Sequence, residues 1–223
     1  MKKAFKELSE SEQWDIVERL TGEDWHEEVI CDYERELNEI GFIEPSIAFS
    51  GFYSQGDGAS FTCESVDLPV LLRHLIKEGF SHQSPQRELA SDEIRTMADL
   101  IGWDNIHVPR PVLDLVYELN DNDLFTISIW RSGHRYYHER STEISVDTNN
   151  YWDADGERDI QDYRFTQEDC DEIESFRHAL ETFLEEWMVD KNKEIYSKLE
   201  ETYEEIQKSI FYDLENSIDD EAA

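Results

Sequence analysis

Residues 47–63 read Ile47-Ala48-Phe49-Ser50-Gly51-Phe52-Tyr53-Ser54-Gln55-Gly56-Asp57-Gly58-Ala59-Ser60-Phe61-Thr62-Cys63. Ile47, Phe49 and Gly51 alternate with Ala48, Ser50 and Phe52, the period of a strand. Gly56 and Gly58 flank Asp57, where positive φ costs little and a chain reverses sharply. Ala59–Cys63 then resumes the extended pattern. The stretch predicts a hairpin, and with it a chain that mixes sheet with helix.

The flanks before this hairpin are helical. Ser9 and Glu12 stand at capping-box spacing, so a short helix through Trp14, Val17 and Leu20 is expected to stop near Gly22. Asp24 is the expected cap of a second helix. Its stripe is Trp25, Val29, Tyr33, Leu37 and Ile40, closed by Gly41. Beyond the hairpin, Asp67-Leu68-Pro69 opens a helix with Leu71, Leu72, Leu75 and Ile76 on its apolar side, ended by Gly79. Another helix is expected from Ser91 to Gly102, and Val112–Leu119 as a further strand.

Phe125, Ile127 and Ile129 alternate with polar residues, and Tyr136, His138, Arg140, Thr142, Ile144 and Val146 alternate again. With Ser132-Gly133 as a tight turn, this is a second hairpin. From Thr166 onward there is neither glycine nor proline. Two apolar stripes there, Cys170–Trp187 and Ile195–Leu214, meet out of phase near Asp190-Lys191-Asn192. They form either one long helix or a pair. The expected class is α+β, a small antiparallel sheet of two hairpins packed with helices and a long acidic C-terminal helix or helix pair. Residues 1–165 would form the α+β domain (helical over 1–44, mixed over 45–165), with 166–223 packing on it.

The chain has 223 residues, 54 acids, 20 Lys plus Arg, and a net charge of −34. That balance excludes a conventional nucleic-acid binder, which needs basic side chains to displace counterions, and disfavours docking on anionic membranes. No apolar run reaches the roughly 18–20 residues of a spanning helix, and the basic start leads into no apolar leader core. A cytoplasmic setting is expected. Cys31, Cys63 and Cys170 lack any CxxC spacing and read as reduced thiols rather than zinc ligands. No metal and no cofactor is expected.

Charge concentrates on the predicted helices. The segments 1–44 and 153–223 together hold −26 in 115 residues, against −8 in the 108 residues between. Duplex DNA carries about one charge per 1.7 Å of axis, and a helix rises about 1.5 Å per residue. An acid at every second or third residue of an exposed face therefore approaches half that density. Glu168, Asp169, Asp171, Glu172 and Glu174 reach it locally, as do Glu200, Glu201, Glu204 and Glu205. The competing reading is a solvated acidic face that only keeps the chain soluble.

Three further patterns bear on chemistry. The turn residues Tyr53, Gln55, Asp57 and Ser60 could line a small-ligand or catalytic pocket with His134 and His138 from the second hairpin. The plain alternative is an Asp57 that bonds its own turn. On a strand, His134 and His138 would share a face with Tyr136 but lie about 13 Å apart, too far for one metal. Asp153–Asp162 resembles a calcium loop only superficially. With Gly156 at the sixth place, Tyr151 and Asp162 fall where an acid and a bidentate glutamate belong.

Ser50–Phe61, Ser132–Ser145 and the tail Ile195–Glu204 together resemble a family of uncharacterised phage and prophage proteins. That family carries an SGF(Y/W)SQGDGASF motif and is sometimes labelled antitoxin-like. The resemblance covers about a third of the chain. It implies phage origin and a small intracellular protein, and no established activity. The acidic load here is heavier than the motif requires.

The leading expectation is a non-enzymatic phage protein that binds a host nucleic-acid-binding defence protein, such as a restriction or CRISPR nuclease, by DNA mimicry. It would contact neither nucleic acid nor membrane, and the striped terminal helix could pair with a second copy as a homodimer. The alternatives are an enzyme or small-ligand binder using the Ser50–Phe61 turn, and an antitoxin-like regulator.

Overall fold

In the computed structural model the described residues are 5–81, 125–133, 137–147 and 167–216, the side chains of 167–170 excepted. The helix expected over 91–102, the strand at 112–119, the acidic loop at 153–162, and His134 and Tyr136 lie outside them.

The capping signals act as read for the first helix. In α1 (Glu10–Thr21) the Ser9 amide donates to Glu12 Oε2 at 2.8 Å and the Glu12 amide to Ser9 Oγ at 3.4 Å. Gly22, at φ +76°, ends it. Helix α2 (Glu27–Glu39) starts later than the expected Asp24 cap. His26 takes the N-cap position without a side-chain cap bond, and Asp24 contributes its carbonyl to a preceding turn through the Glu27 amide at 3.1 Å. Gly41 follows at φ +108°. A Cβ there would lie 2.8 Å from the Leu71 nitrogen and 2.9 Å from the Asp67 oxygen, so both conformation and space demand glycine.

Strands β1 (Phe42–Ile43) and β2 (Ser46–Phe49) pair antiparallel with β4 (Ser65–Val66) and β3 (Ala59–Thr62), placing Ile47 opposite Phe61. Glu44, at φ +49°, interrupts the outgoing strand between them. Helix α3 (Leu68–Lys77) carries Asp67 as its cap, accepting from the Val70 amide at 3.1 Å, and buries Leu68, Leu71, Leu72 and Leu75.

The second hairpin pairs β5 (Thr126–Arg131) with β6 (Thr142–Asp147), Ile129 facing Ile144. Its turn differs from the expected Ser132-Gly133 reversal. The return strand begins at Thr142, and the described residues 137–141 before it are not strand. The buried Ser141 is the reason. Its amide donates to the His138 carbonyl, its Oγ accepts from the His138 amide, and its carbonyl accepts from the Ser132 amide, each at 2.8 Å. Those bonds close a turn at 138–141, so His138 and Arg140 do not lie on a strand.

The two hairpins do not merge into one ladder among the described residues. Side chains bridge them instead. Arg131 Nε donates to Ser60 Oγ at 3.1 Å and Thr142 Oγ1 to the Phe61 carbonyl at 3.0 Å.

The terminal segment is one uninterrupted helix, α4 (Gln167–Asn216), of 50 residues and about 75 Å. Ile173, Phe176, Leu180, Leu184, Met188, Ile195 and Leu199 are buried along it, and Asn192, fully buried, joins the two stripes. This α4 row, α3, Phe42, Phe61, Phe125 and Val146 share one core. Each large side chain fully buried there contributes about 1.5–3 kcal/mol. The chain is thus α+β, with small antiparallel two-stranded sheets and a long C-terminal helix. Among the described residues no helix is long and apolar enough to cross a membrane.

Asn192 Oδ1 accepts from the Phe61 amide at 3.1 Å, and its Nδ2 donates to the Glu139 carbonyl at 3.0 Å and to Thr142 Oγ1 at 3.1 Å. Asn192→Leu keeps the volume and strands these groups. It should lower unfolding free energy by about 2–4 kcal/mol, measured by urea denaturation.

Candidate functional site

The glycine-rich turn is occupied by its own structure. Asp57 Oδ2 accepts from the Tyr53 amide at 2.8 Å and from the Ser54 amide at 2.6 Å. Ser50 Oγ accepts from the Gly58 amide at 3.1 Å and donates to the Tyr137 carbonyl at 2.9 Å. A Cβ on Gly58 would lie 2.8 Å from His138 Cα, so glycine lets the second hairpin close on the turn. Phe52 turns inward, 5.2 Å from the Tyr203 ring and 5.4 Å from Tyr196, whose hydroxyl donates to the Gly51 carbonyl at 3.0 Å.

The proposed pocket residues have different surroundings, although His138 lies against the turn at Gly58. Ser60 is buried and accepts from Arg131, a partner that no sequence spacing marks. Tyr53 and Gln55 point to solvent. His138 accepts from the Arg140 amide at 3.3 Å through Nδ1. His134 is outside the described residues. The half-buried Cys63 has its thiol pushed up to about 11 by burial, which disfavours the reactive thiolate. Among the described residues no group of three His, Cys, Asp or Glu is placed to hold a metal ion.

The acidic candidates divide differently from their sequence runs. Glu172 is buried beside Ile173 and so cannot belong to an exposed carboxylate surface. Glu200 is half-buried. Glu168 and Asp169 lie in the first turn of α4, their side chains outside the description. Asp171, Glu174, Glu201, Glu204 and Glu205 are exposed.

The helix supplies its own counterions. Arg177 binds Glu174 at 2.5 Å, Lys198 binds Glu201 at 2.6 Å, and Lys208 binds Glu204 at 2.8 Å. The Lys198 ammonium, chiefly by hydrogen bonding, holds the Glu201 carboxyl below its ordinary range. Glu186, Asp190 and Glu194, outside the runs singled out in the sequence, are also exposed. Steps of four, four, seven and four residues place Glu186, Asp190, Glu194, Glu201 and Glu205 on one face. Helical spacing, rather than local acid density, was the signal for that row.

Near the middle of this face α2 meets α4. Lys191 Nζ reaches Glu36 Oε1 at 2.7 Å and Glu194 Oε2 at 3.0 Å, and the Tyr33 hydroxyl donates to Glu194 Oε1 at 3.2 Å. Burial lowers the Lys191 pKa, but bonds to Glu36 and Glu194 outweigh that and raise it overall. Burial, then the Glu194 charge, pushes the Tyr33 phenol up to about 12.

Asp57→Ala should lower stability by about 1–2 kcal/mol through two lost turn bonds, read as a shift in urea midpoint with unchanged helical circular dichroism. The Tyr33 shift favours the neutral phenol in the fold. Its contribution is therefore full below pH 10 and lost as pH rises through about 12. Stability measured across that window should fall, and Tyr33→Phe should flatten the fall. Tyr196 and Tyr203, also raised by burial, leave a residual slope.

No curated protein and no solved structure matches the chain. Residues 25–209 match the family model described as "Domain of unknown function (DUF8835)", and the chain belongs to that family.

Proposed function

We propose that this chain is a phage-encoded, non-enzymatic inhibitor acting in the host cytoplasm. It binds a host nucleic-acid-binding defence protein, of restriction, CRISPR or other nuclease type, through the carboxylate row of α4. The observation that carries this reading is the row Glu186, Asp190, Glu194, Glu201 and Glu205 on a single unbroken helix. It runs about 29 Å.

Five carboxylates over that length stand about 7 Å apart, near half the charge density of one DNA strand at 3.4 Å per phosphate. The row would thus imitate DNA in part, by a rigid line of charge. Its own lysines oppose the resemblance, but the exposed pairs of Lys193 with Asp190 and Lys198 with Glu201 are each worth at most about 1 kcal/mol. Arginines of a partner's nucleic-acid groove would displace them at small cost. Association would be fast and salt-sensitive. The ligand-binding alternative loses its centre, because Asp57 commits one carboxylate oxygen to two amides of its own turn. A homodimer through the apolar stripe would rest on its half-buried end, Ile206, Ile210 and Leu214, since the row from Ile173 to Leu199 is already buried.

The test is capture of host proteins on the tagged full chain at low and high salt, with recovery read by mass spectrometry. A nucleic-acid enzyme recovered only at low salt is the expected result. The triple variant Glu186→Lys, Glu201→Lys, Glu205→Lys should lose it, and Asp57→Ala should retain it. Capture that does not weaken with salt overturns the reading.

A further inference from the structure

Trp14 and Tyr53 leave 42% and 81% of their surface in solvent, and both line one groove of about 300 Å³ with Glu18 and Gln207. Trp14 and Glu18, four residues apart on α1, share a helix face. Gln207 comes from α4 and Tyr53 from the glycine-rich turn. Trp14 packs against Phe211 at 5.5 Å, and Phe5 against the same ring at 5.4 Å, so α1 is docked on the far end of α4. The Asp57 bond to the Tyr53 amide sets the turn that directs Phe52 inward and Tyr53 outward.

Exposed aromatic surface forgoes the free energy of burial, and this groove combines two such rings with a carboxylate. Among the described residues no lysine or arginine lines it. Aromatic faces beside a carboxylate are the setting in which a guanidinium is held by stacking and by charge together. On a chain of net charge −34, the complementary occupant is basic.

We propose that the groove of Trp14, Glu18, Tyr53 and Gln207 binds an arginine side chain of a basic partner protein. The guanidinium stacks on the exposed rings and pairs with Glu18. This inference rests on the reading of the chain as a binder of basic partners, and it adds a specific contact to that diffuse attraction. It also gives the Ser50–Phe61 turn a role without catalysis, as the support that presents Tyr53.

The test is fluorescence anisotropy of a labelled Gly-Arg-Gly-Arg-Gly-Arg peptide titrated with the full chain. Tyr53→Ala and Glu18→Gln should each weaken binding about fivefold. Glu28→Gln removes the same charge from an exposed site on α2 and should change it less than about twofold. Tyr53→Ala is decisive, since Tyr53 is mostly in solvent and its loss spares the Trp14–Phe211 packing. The proposal is overturned if Tyr53→Ala and Glu18→Gln bind as the parent does, or if Glu28→Gln weakens binding equally. Tighter binding of a Gly-Leu-Gly-Leu-Gly-Leu peptide, or self-association abolished by Tyr53→Ala, would also overturn it, in favour of an apolar segment or a second copy. If the triple α4 variant loses the arginine peptide while Tyr53→Ala and Glu18→Gln keep it, the groove fails and the acidic-helix reading stands. If those two weaken the peptide but host capture is insensitive to salt, the groove stands and the helix reading fails.

Discussion

The buried amide of Asn192 joins three parts of the chain that no backbone ladder connects among the described residues. Its oxygen takes the Phe61 amide of the first hairpin, and its nitrogen reaches Glu139 and Thr142 of the second. Neither hairpin would be stable alone, since two strands bury too little. Each gains an apolar wall from α4, and Asn192 sets their position along it. A buried amide with these bonds satisfied tolerates one register, because a shift of one residue would strand several polar groups in the core. The closeness of the hairpins follows from that register, and the 50-residue helix runs on because neither glycine nor proline interrupts it.

Close approach of backbones is the complementary constraint. Gly41 lets the end of α2 lie against the start of α3, and Gly58 lets the glycine-rich turn lie against the 137–139 backbone. Phe52 and the Tyr196 hydroxyl then fasten the turn to α4. The segment that is chemically most suggestive in sequence is thereby consumed by packing. What it exposes is a single aromatic ring, Tyr53, rather than a cluster of reactive groups.

The same helix that supplies the core wall carries the charge. Its buried row and its carboxylate row lie on different faces of one rigid rod. The excess of acids therefore acts as a fixed line, partly countered by Lys191, Lys193, Lys198 and Lys208. The exposed pairs of Lys193, Lys198 and Lys208 are weakly held, which suits a surface that exchanges its own counterions for those of a partner, whereas Lys191 is mostly buried.

Local signals were sufficient at most places where a residue acts on its near neighbours, the expected Asp24 cap being an exception. The Ser9–Glu12 box, the Asp67 cap, the first hairpin and the apolar stripes could all be read from the chain, because caps and periodicity depend on residues a few places apart. Membership of an α+β class followed from the same signals. What the sequence left open was decided over long separations. The buried role of Asn192, where the two apolar stripes of the tail meet, depends on partners 50 to 131 residues away. Ser141 delayed the start of the second hairpin's return strand by bonds that an alternating pattern does not reveal. Glu172 looked like surface charge and is buried, since acid density in a run carries no information about which face packs. The sequence by itself determined helices, turns and a strongly negative chain. Only the tertiary structure decided which carboxylates stand in one row and which aromatic rings stay in water, because both depend on where distant elements meet.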